Sequence, residues 1–197
     1  HTLGQVSFED IYRDYPLKAR RLDFFARGTL ANLLRRLRAC GLDAGQRILD
    51  YGCGNGVFLK YMKERGFNEV DGYDPYEPRF STPPKAAVFD VVVANDVIEH
   101  CEDPKAFVAR CLACLKPGGL LYLGTCEADG LDLQDLSPHL MRLHLPYHRT
   151  ILTAEGLREL GRKAGLREVC RWRRSYMDTR RPFCNYRFLD ELKRHRP

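Results

Sequence analysis

A chain of 197 residues with 44% hydrophobic and 29% charged content is long enough for one domain with a sizeable core and has the balance of a soluble globular protein. No apolar run approaches the roughly 18 residues of a membrane span, and residues 1–7 lack the basic-then-apolar order of a secretory signal, so the chain reads as cytoplasmic. The net charge of +6 is uneven: residues 158–197 hold 13 Lys/Arg against 5 Asp/Glu, which makes the C-terminal segment either a solvated basic helix face or an anion-binding surface.

In chain order, residues 1–15 form an irregular arm carrying Phe8, Tyr12 and Tyr15. Pro16 opens a helical stretch to about Cys40, with Leu22, Phe25, Leu30, Leu33, Leu34 and Leu37 recurring at helical spacing and Gly41 stopping it. Arg47–Tyr51 reads as a strand, followed by a helix to about Arg65 and a second strand at Glu69–Tyr73. The valine run Phe89–Ala94 is a further strand, Pro104–Leu115 a helix, Lys116–Gly119 a turn and Leu120–Gly124 a strand. Ala154–Ala164 has a helical pattern, Arg167–Trp172 reads as a strand, and Phe183–Arg194 as a last helix. Strands alternating with helices predict an α/β fold, a Rossmann-like doubly wound and mostly parallel sheet with helices on both faces. Residues 1–46 form an N-terminal arm and helix, and 47–197 one domain with an insert at about 126–150. Eight cysteines include one C-x-x-C, Cys111 and Cys114, with no second close pair to complete a zinc site, so they read as structural thiols.

Ile48-Leu-Asp-Tyr-Gly-Cys-Gly-Asn-Gly56 is the most informative stretch. A buried strand runs into three glycines at alternate positions and then into a helix. Glycine lets the backbone take positive φ and approach a ligand, and the helix start offers free N–H groups. The spacing is G-x-G-x-G rather than the G-x-G-x-x-G of dinucleotide sites, which disfavours a nicotinamide oxidoreductase. Asp50, two residues before the first glycine, would repel a pyrophosphate and suits a ligand end carrying an ammonium. The second strand ends in Tyr73-Asp74-Pro75, and an acid 18 residues after Gly56 can accept both hydroxyls of a ribose. After Ala94 a polar cluster follows at once: Asn95, Asp96, Glu99 and His100. Then comes Leu115-Lys-Pro-Gly-Gly119, a tight turn feeding a strand.

These four motifs, in this order over roughly residues 47–124, resemble the class I S-adenosylmethionine-dependent methyltransferases, in particular the group that includes the ubiquinone-biosynthesis O-methyltransferases. The resemblance implies that Asp50, Gly52, Cys53 and Gly54 face the methionine part of S-adenosylmethionine, that Asp74 with Pro75 serves its ribose, and that Asn95, Asp96 and Val97 lie near the sulfonium. It implies that the N-terminal arm is a lid, with Tyr12, Tyr15 and Arg20 or Arg21 over the cofactor. Two departures stand out. Only 15 residues separate Asp74 from Asp90, so the family's third strand is missing or shortened and its adenine contact unassigned; and the chain ends on a basic segment rather than an antiparallel hairpin.

Methyl transfer from a sulfonium needs chiefly positioning, with a nearby base where the acceptor must lose a proton. His100 and His148 fall on loops at the predicted active edge, with Glu99 beside His100. If a helix starts at Asp96, then Asp96, Glu99 and His100 share one face, and His148 completes a mixed O/N set able to bind Mg²⁺, Mn²⁺ or Zn²⁺. That set is similar to the 2′-O-methyltransferases of small-RNA 3′ ends, which carry E-x-x-E-H here; Asp96 replaces the longer Glu. The alternative is that Glu99 caps a helix and His100 packs near substrate. The expected acceptor is a small molecule methylated on O or N. RNA, bound through the basic segment with Trp172 or Tyr176, is the alternative, and a non-catalytic cofactor-binding module a third. Leu131, Leu133, Leu136, Leu140, Leu143 and Leu145 of the insert suggest an apolar acceptor wall. The oligomeric state is left open.

Overall fold

The structure is a computed structural model that describes residues 21–132, 134–135, 143–144 and 147–173. The Tyr12, Tyr15 and Arg20 lid candidates, Leu133, Leu136, Leu140 and Leu145 of the insert, Tyr176 and the expected helix at Phe183–Arg194 lie outside the described residues.

The elements are α1 (Phe24–Ala39), β1 (Ile48–Tyr51), α2 (Val57–Glu64), β2 (Val70–Tyr73), β3 (Phe89–Asn95), α3 (Pro104–Cys114), β4 (Leu115–Gly124) and α4 (Ala154–Lys163), with short 3-10 turns at Pro78–Phe80 and Ile98–His100. All strand pairs are parallel, in the order β2-β1-β3-β4. The chain goes from β1 to one side and then returns to the other, so the order reverses between β1 and β3. In open α/β sheets the ligand crevice lies there, beyond the carboxyl ends of the strands.

Alternation along the strands divides the core in two. Ile48, Val91 and Val93 pack with Leu33 and Leu37 of α1 and Phe58 and Met62 of α2. Leu49, Val92 and Ala94 pack with Phe107, Val108 and Cys111 of α3, and Leu160 of α4 joins this side. Helices thus cover both faces, as the alternating pattern predicts. Cys111 and Cys114 are free buried thiols on α3. Two helices are started by carboxylates. Asp23 accepts the N–H groups of Phe25 and Ala26 at 3.0 and 2.8 Å, and Asp103 those of Lys105 and Ala106 at 2.8 and 3.1 Å.

As the short 75–89 segment implies, no strand lies between β2 and β3; the segment makes the Pro78–Phe80 turn, and Pro75, Pro78, Pro83 and Pro84 deny it ladder donors. Two expectations change. Residues 167–172 carry no strand: Val169 and Trp172 are exposed, so that segment has no buried face to pin it in a sheet. Residues 116–119 loop out of β4, since Leu115 pairs with Phe89 but Leu120 pairs with Val91; the expected turn lies inside a strand. The basic character of the described C-terminal part is matched by acids, with Arg158 on Glu155 and Glu168, Arg162 on Glu159, and Arg173 on Glu127. No helix among the described residues is long and apolar enough to cross a membrane.

Asp103→Ala removes the carboxylate oxygen that accepts both capping N–H bonds of α3. It is expected to cost about 1 kcal/mol, a fall in melting temperature of about 2–4 °C, with Asp103→Ser close to the parent in the same thermal melts.

Candidate functional site

The first half of the site is built at the end of β1. Gly52, Gly54 and Gly56 all take positive φ, at 85°, 51° and 82°. A Cβ on Gly52 would lie 2.5 Å from a methyl of Val97, and one on Gly56 would lie 2.9 Å from the ring of Phe80. The turn is therefore closed from two sides by other strands' continuations. Gly52 and Cys53 donate N–H bonds to the Tyr73 carbonyl at 2.7 and 3.1 Å, which fastens the turn to the end of β2.

Asp50 lies on the Ile48 side of β1 and is buried, 6% exposed. Burial, and next the nearby Asp74 carboxylate, push its carboxyl up to about 8. Burial likewise pushes the Cys53 thiol up, helped by the Asp50 and Asp74 charges. Asp74 accepts the Gly54 N–H on one oxygen and the Tyr76 N–H on the other, both at 2.9 Å. Two carboxyls thus flank a turn with no side-chain cap at the α2 start. Such a pocket edge suits a ligand that brings a cation to one acid and hydroxyl donors to the other. Beyond Pro75, Phe80 lies over Gly56 and Arg79 donates to the Asn55 carbonyl at 3.3 Å, so the short segment that stands in place of the family's third strand covers the turn.

The second half lies at the ends of β3 and β4. Asn95 donates to the Asp96 carboxylate at 2.8 Å, and Asp96 takes φ 60° while its N–H bonds the Gly124 carbonyl at 2.7 Å. The left-handed Asp96 breaks the chain path before the Ile98–His100 turn. Asp96, Glu99 and His100 therefore do not share a helical face as the spacing suggested. Convergence comes instead from tertiary contacts. The Glu99 carbonyl accepts N–H bonds from Arg149 at 2.8 Å and Thr150 at 3.1 Å, and His100 Nδ1 bonds the Tyr147 carbonyl at 3.0 Å. Arg149 also pairs with Glu102. These bonds bring His148 to His100, with ring centroids 5.0 Å apart, and His144 stacks against His148 at 5.1 Å.

Donor atoms of Glu99, His100 and His148 all lie within 4.8 Å of one another. Ligands of one cation at 2.0–2.2 Å stand about 3–4 Å apart, so this set is within reach of a shared ion. Two imidazoles and a carboxylate suit Zn²⁺ or Mn²⁺ better than the all-oxygen preference of Mg²⁺. Asp96 lies outside the convergent set, near enough to His100 to favour its cationic form, although burial outweighs this and holds the His100 imidazole below its ordinary range. Burial lowers His144 as well. Neutral rings of this kind can accept a proton or ligate a metal.

The structure thus gathers Asp50, Gly52, Cys53, Gly54, Asp74 and Val97 at one turn and Glu99, His100 and His148 at the next strand end, with Asn95 and Asp96 between. Pro75 is exposed beside Asp74. Two participants went unnoticed in the sequence: Thr125, whose hydroxyl donates to the Glu99 carboxylate at 2.8 Å, and Cys126, whose sulfur lies 3.6 Å from His148 Nδ1. Both directly follow the end of β4. The reasoning that located Asn95–His100 past the end of β3 reaches them too.

Residues 19–170 match the family model described as a methyltransferase domain. The chain is similar to a ubiquinone biosynthesis O-methyltransferase of Idiomarina loihiensis, 33% identical over 43% of this chain and 44% of that protein. It is also similar to one of Dinoroseobacter shibae, 29% identical over 76% of this chain and 71% of that protein. The matched stretch spans about half the length of the first of these relatives. Among solved structures, the Haemonchus contortus phosphoethanolamine N-methyltransferase 2 in complex with S-adenosyl-L-methionine shares the fold at a TM-score of 0.58 and 20% identity, covering 82% of this chain and 45% of that one.

Gly52→Ala combines a left-handed backbone with the Val97 clash and is expected to cost about 2 kcal/mol or more. Gly41→Ala has φ +96° with nothing within 4 Å and should cost only about 1–2 kcal/mol. Denaturant midpoints of the two variants compared side by side read the difference.

Proposed function

Because this chain belongs to the methyltransferase-domain family, we propose that it is an S-adenosylmethionine-dependent methyltransferase acting on an oxygen or nitrogen of a small-molecule acceptor. One observation carries the reading: a buried acid, Asp50, and a second acid, Asp74, flank a glycine turn at the switch point of a parallel sheet. Asp50 would accept the ammonium of the methionine end, Gly54, with nothing within 4 Å of its Cβ position, leaves room for its backbone-like portion beside Gly52, and Asp74 would accept ribose hydroxyls. Asn95, Asp96 and Val97 line the way from the turn to the histidine cluster. When bound, the cofactor supplies a methyl group already activated on a sulfonium. The protein's share of the work is then orientation and the handling of one acceptor proton.

That second task falls to Glu99, His100 and His148. His100, held below its ordinary pKa by burial, stays neutral near pH 7 and can take a proton. If the three residues hold a divalent cation, it would lower the pKa of an acceptor hydroxyl. The relatives named for O-methylation favour oxygen as the acceptor atom, and a vicinal diol or catechol would present two oxygens to such an ion. The terminal ribose of an RNA presents the same pair; activity that falls steeply with salt would favour that acceptor.

Asp50 gives a test with a definite sign. Its folded pKa, about 8, lies above the carboxylate's usual value near 4. Its stabilising contribution is full below about pH 4 and is lost as pH rises through 8, because ionisation costs the fold. An ammonium ligand favours the ionised form, so binding of S-adenosylhomocysteine at pH 7 should release up to about one proton and tighten between pH 6 and 8. Calorimetry in buffers of different ionisation enthalpy measures this. Asp50→Asn should bind about 10–100-fold more weakly, release no proton, and melt no lower than the parent at pH 8. Parent-like affinity in this variant would overturn the assignment.

The cluster is tested separately. Titration with Mn²⁺ or Zn²⁺ should give saturable heat that His148→Ala abolishes. Absence of heat in the parent would leave His100 and His148 as proton acceptors alone.

A further inference from the structure

Adjacent residues past the end of β4 each touch one donor of the cluster. Thr125 holds Glu99, and Cys126 faces His148. The two histidines are held in parallel fashion. His100 Nδ1 bonds the Tyr147 backbone carbonyl, which can only accept, so this nitrogen carries the hydrogen. His148 Nδ1 instead faces a thiol, which can donate or accept. Of the two arrangements, only Nδ1–H donating to sulfur leaves His148 Nε2 with a lone pair for the cluster. The segment is anchored just beyond Cys126, where Glu127 bridges Leu152 and Ala128 donates to the Leu152 carbonyl at 2.9 Å. The thiol is thus presented from backbone that is itself fixed.

We infer that Cys126 is a positioning residue: its sulfur accepts from His148 Nδ1 and turns the Nε2 lone pair toward Glu99 and His100. This rests on the cation reading of the cluster given above, but concerns a residue outside the ligand set. Outer contacts of this kind commonly change metal affinity 10–100-fold without touching the ion.

The test separates the two readings. In the metal-free, ¹⁵N-labelled chain, long-range ¹H–¹⁵N spectra should show His148 as the Nδ1–H tautomer. Cys126→Ala should shift it toward a mixture with Nε2–H, while Cys126→Ser, whose hydroxyl can accept the same bond, keeps it. Zn²⁺ affinity should fall about 10–100-fold in Cys126→Ala and stay within about threefold of the parent in Cys126→Ser. An unchanged tautomer in Cys126→Ala overturns the inference, and so does unchanged Zn²⁺ affinity. A strong near-ultraviolet sulfur-to-cobalt band in the Co²⁺-loaded parent also overturns it, by making Cys126 a ligand. Should the parent bind no cation while Cys126→Ala still loses the Nδ1–H tautomer, the positioning role stands and the cation reading falls. If Cys126→Ala does not fold, Cys126→Ser and Cys126→Val carry the comparison, Val keeping the volume without an acceptor.

Discussion

A carboxyl group buried at the end of the central strand is the constraint around which this molecule is arranged. Asp50 points to the side of the sheet packed by α1 and α2, beside a second acid, at a place where water is largely excluded. An ionised carboxylate there is costly without a cationic partner, and burial accordingly pushes its pKa up to about 8. The glycine turn, the N–H bonds of Gly52 and Cys53 to Tyr73, and the Phe80 ring over Gly56 all serve to keep that group at the crevice rather than in bulk water. A cationic group placed beside Asp50 would favour its ionised form.

The other half of the site is assembled by long-range backbone contacts rather than by local spacing. Glu99 is the hinge of this half. Its carbonyl takes two N–H groups from residues 149 and 150, and its carboxylate takes the Thr125 hydroxyl. One residue thereby joins the stretch after β3 to the stretch after β4 and to the loop before α4. Asp50 lies on β1, and Glu99 and His100 follow the end of the neighbouring β3, so parallel pairing sets the spacing of these groups, while His148 reaches them from the loop before α4.

Much of this was legible in the sequence. The ladder of Ile48, Leu49, the valine run and the glycine spacing gave the strand ends, and strand ends locate sites in parallel sheets. His148 was found because it precedes a helix cap, Thr153, at the predicted active edge. What escaped was governed by contacts with no periodicity. Asp96 at positive φ cannot be read from a pattern that suits a helix. The strand expected at 167–172 carries Val169 and Trp172, but both are exposed and no buried surface receives them. Cys126 falls at the start of the expected insert and Thr125 just before it; with partners 22 and 26 positions away, only their place past the end of β4 marks them.

The anchoring of the insert at both its ends has an evolutionary reading. At one end Thr125, Cys126 and the bridge from Glu127 to Leu152 fasten it, and at the other Tyr147, Arg149 and Thr150 do so, all around the same few atoms. The stretch between these clamps can lengthen, shorten or change composition at an entropic cost that grows only slowly with length, while the chemistry at its base stays put. A scaffold of this kind lets selection exchange what is recognised independently of how it is transformed.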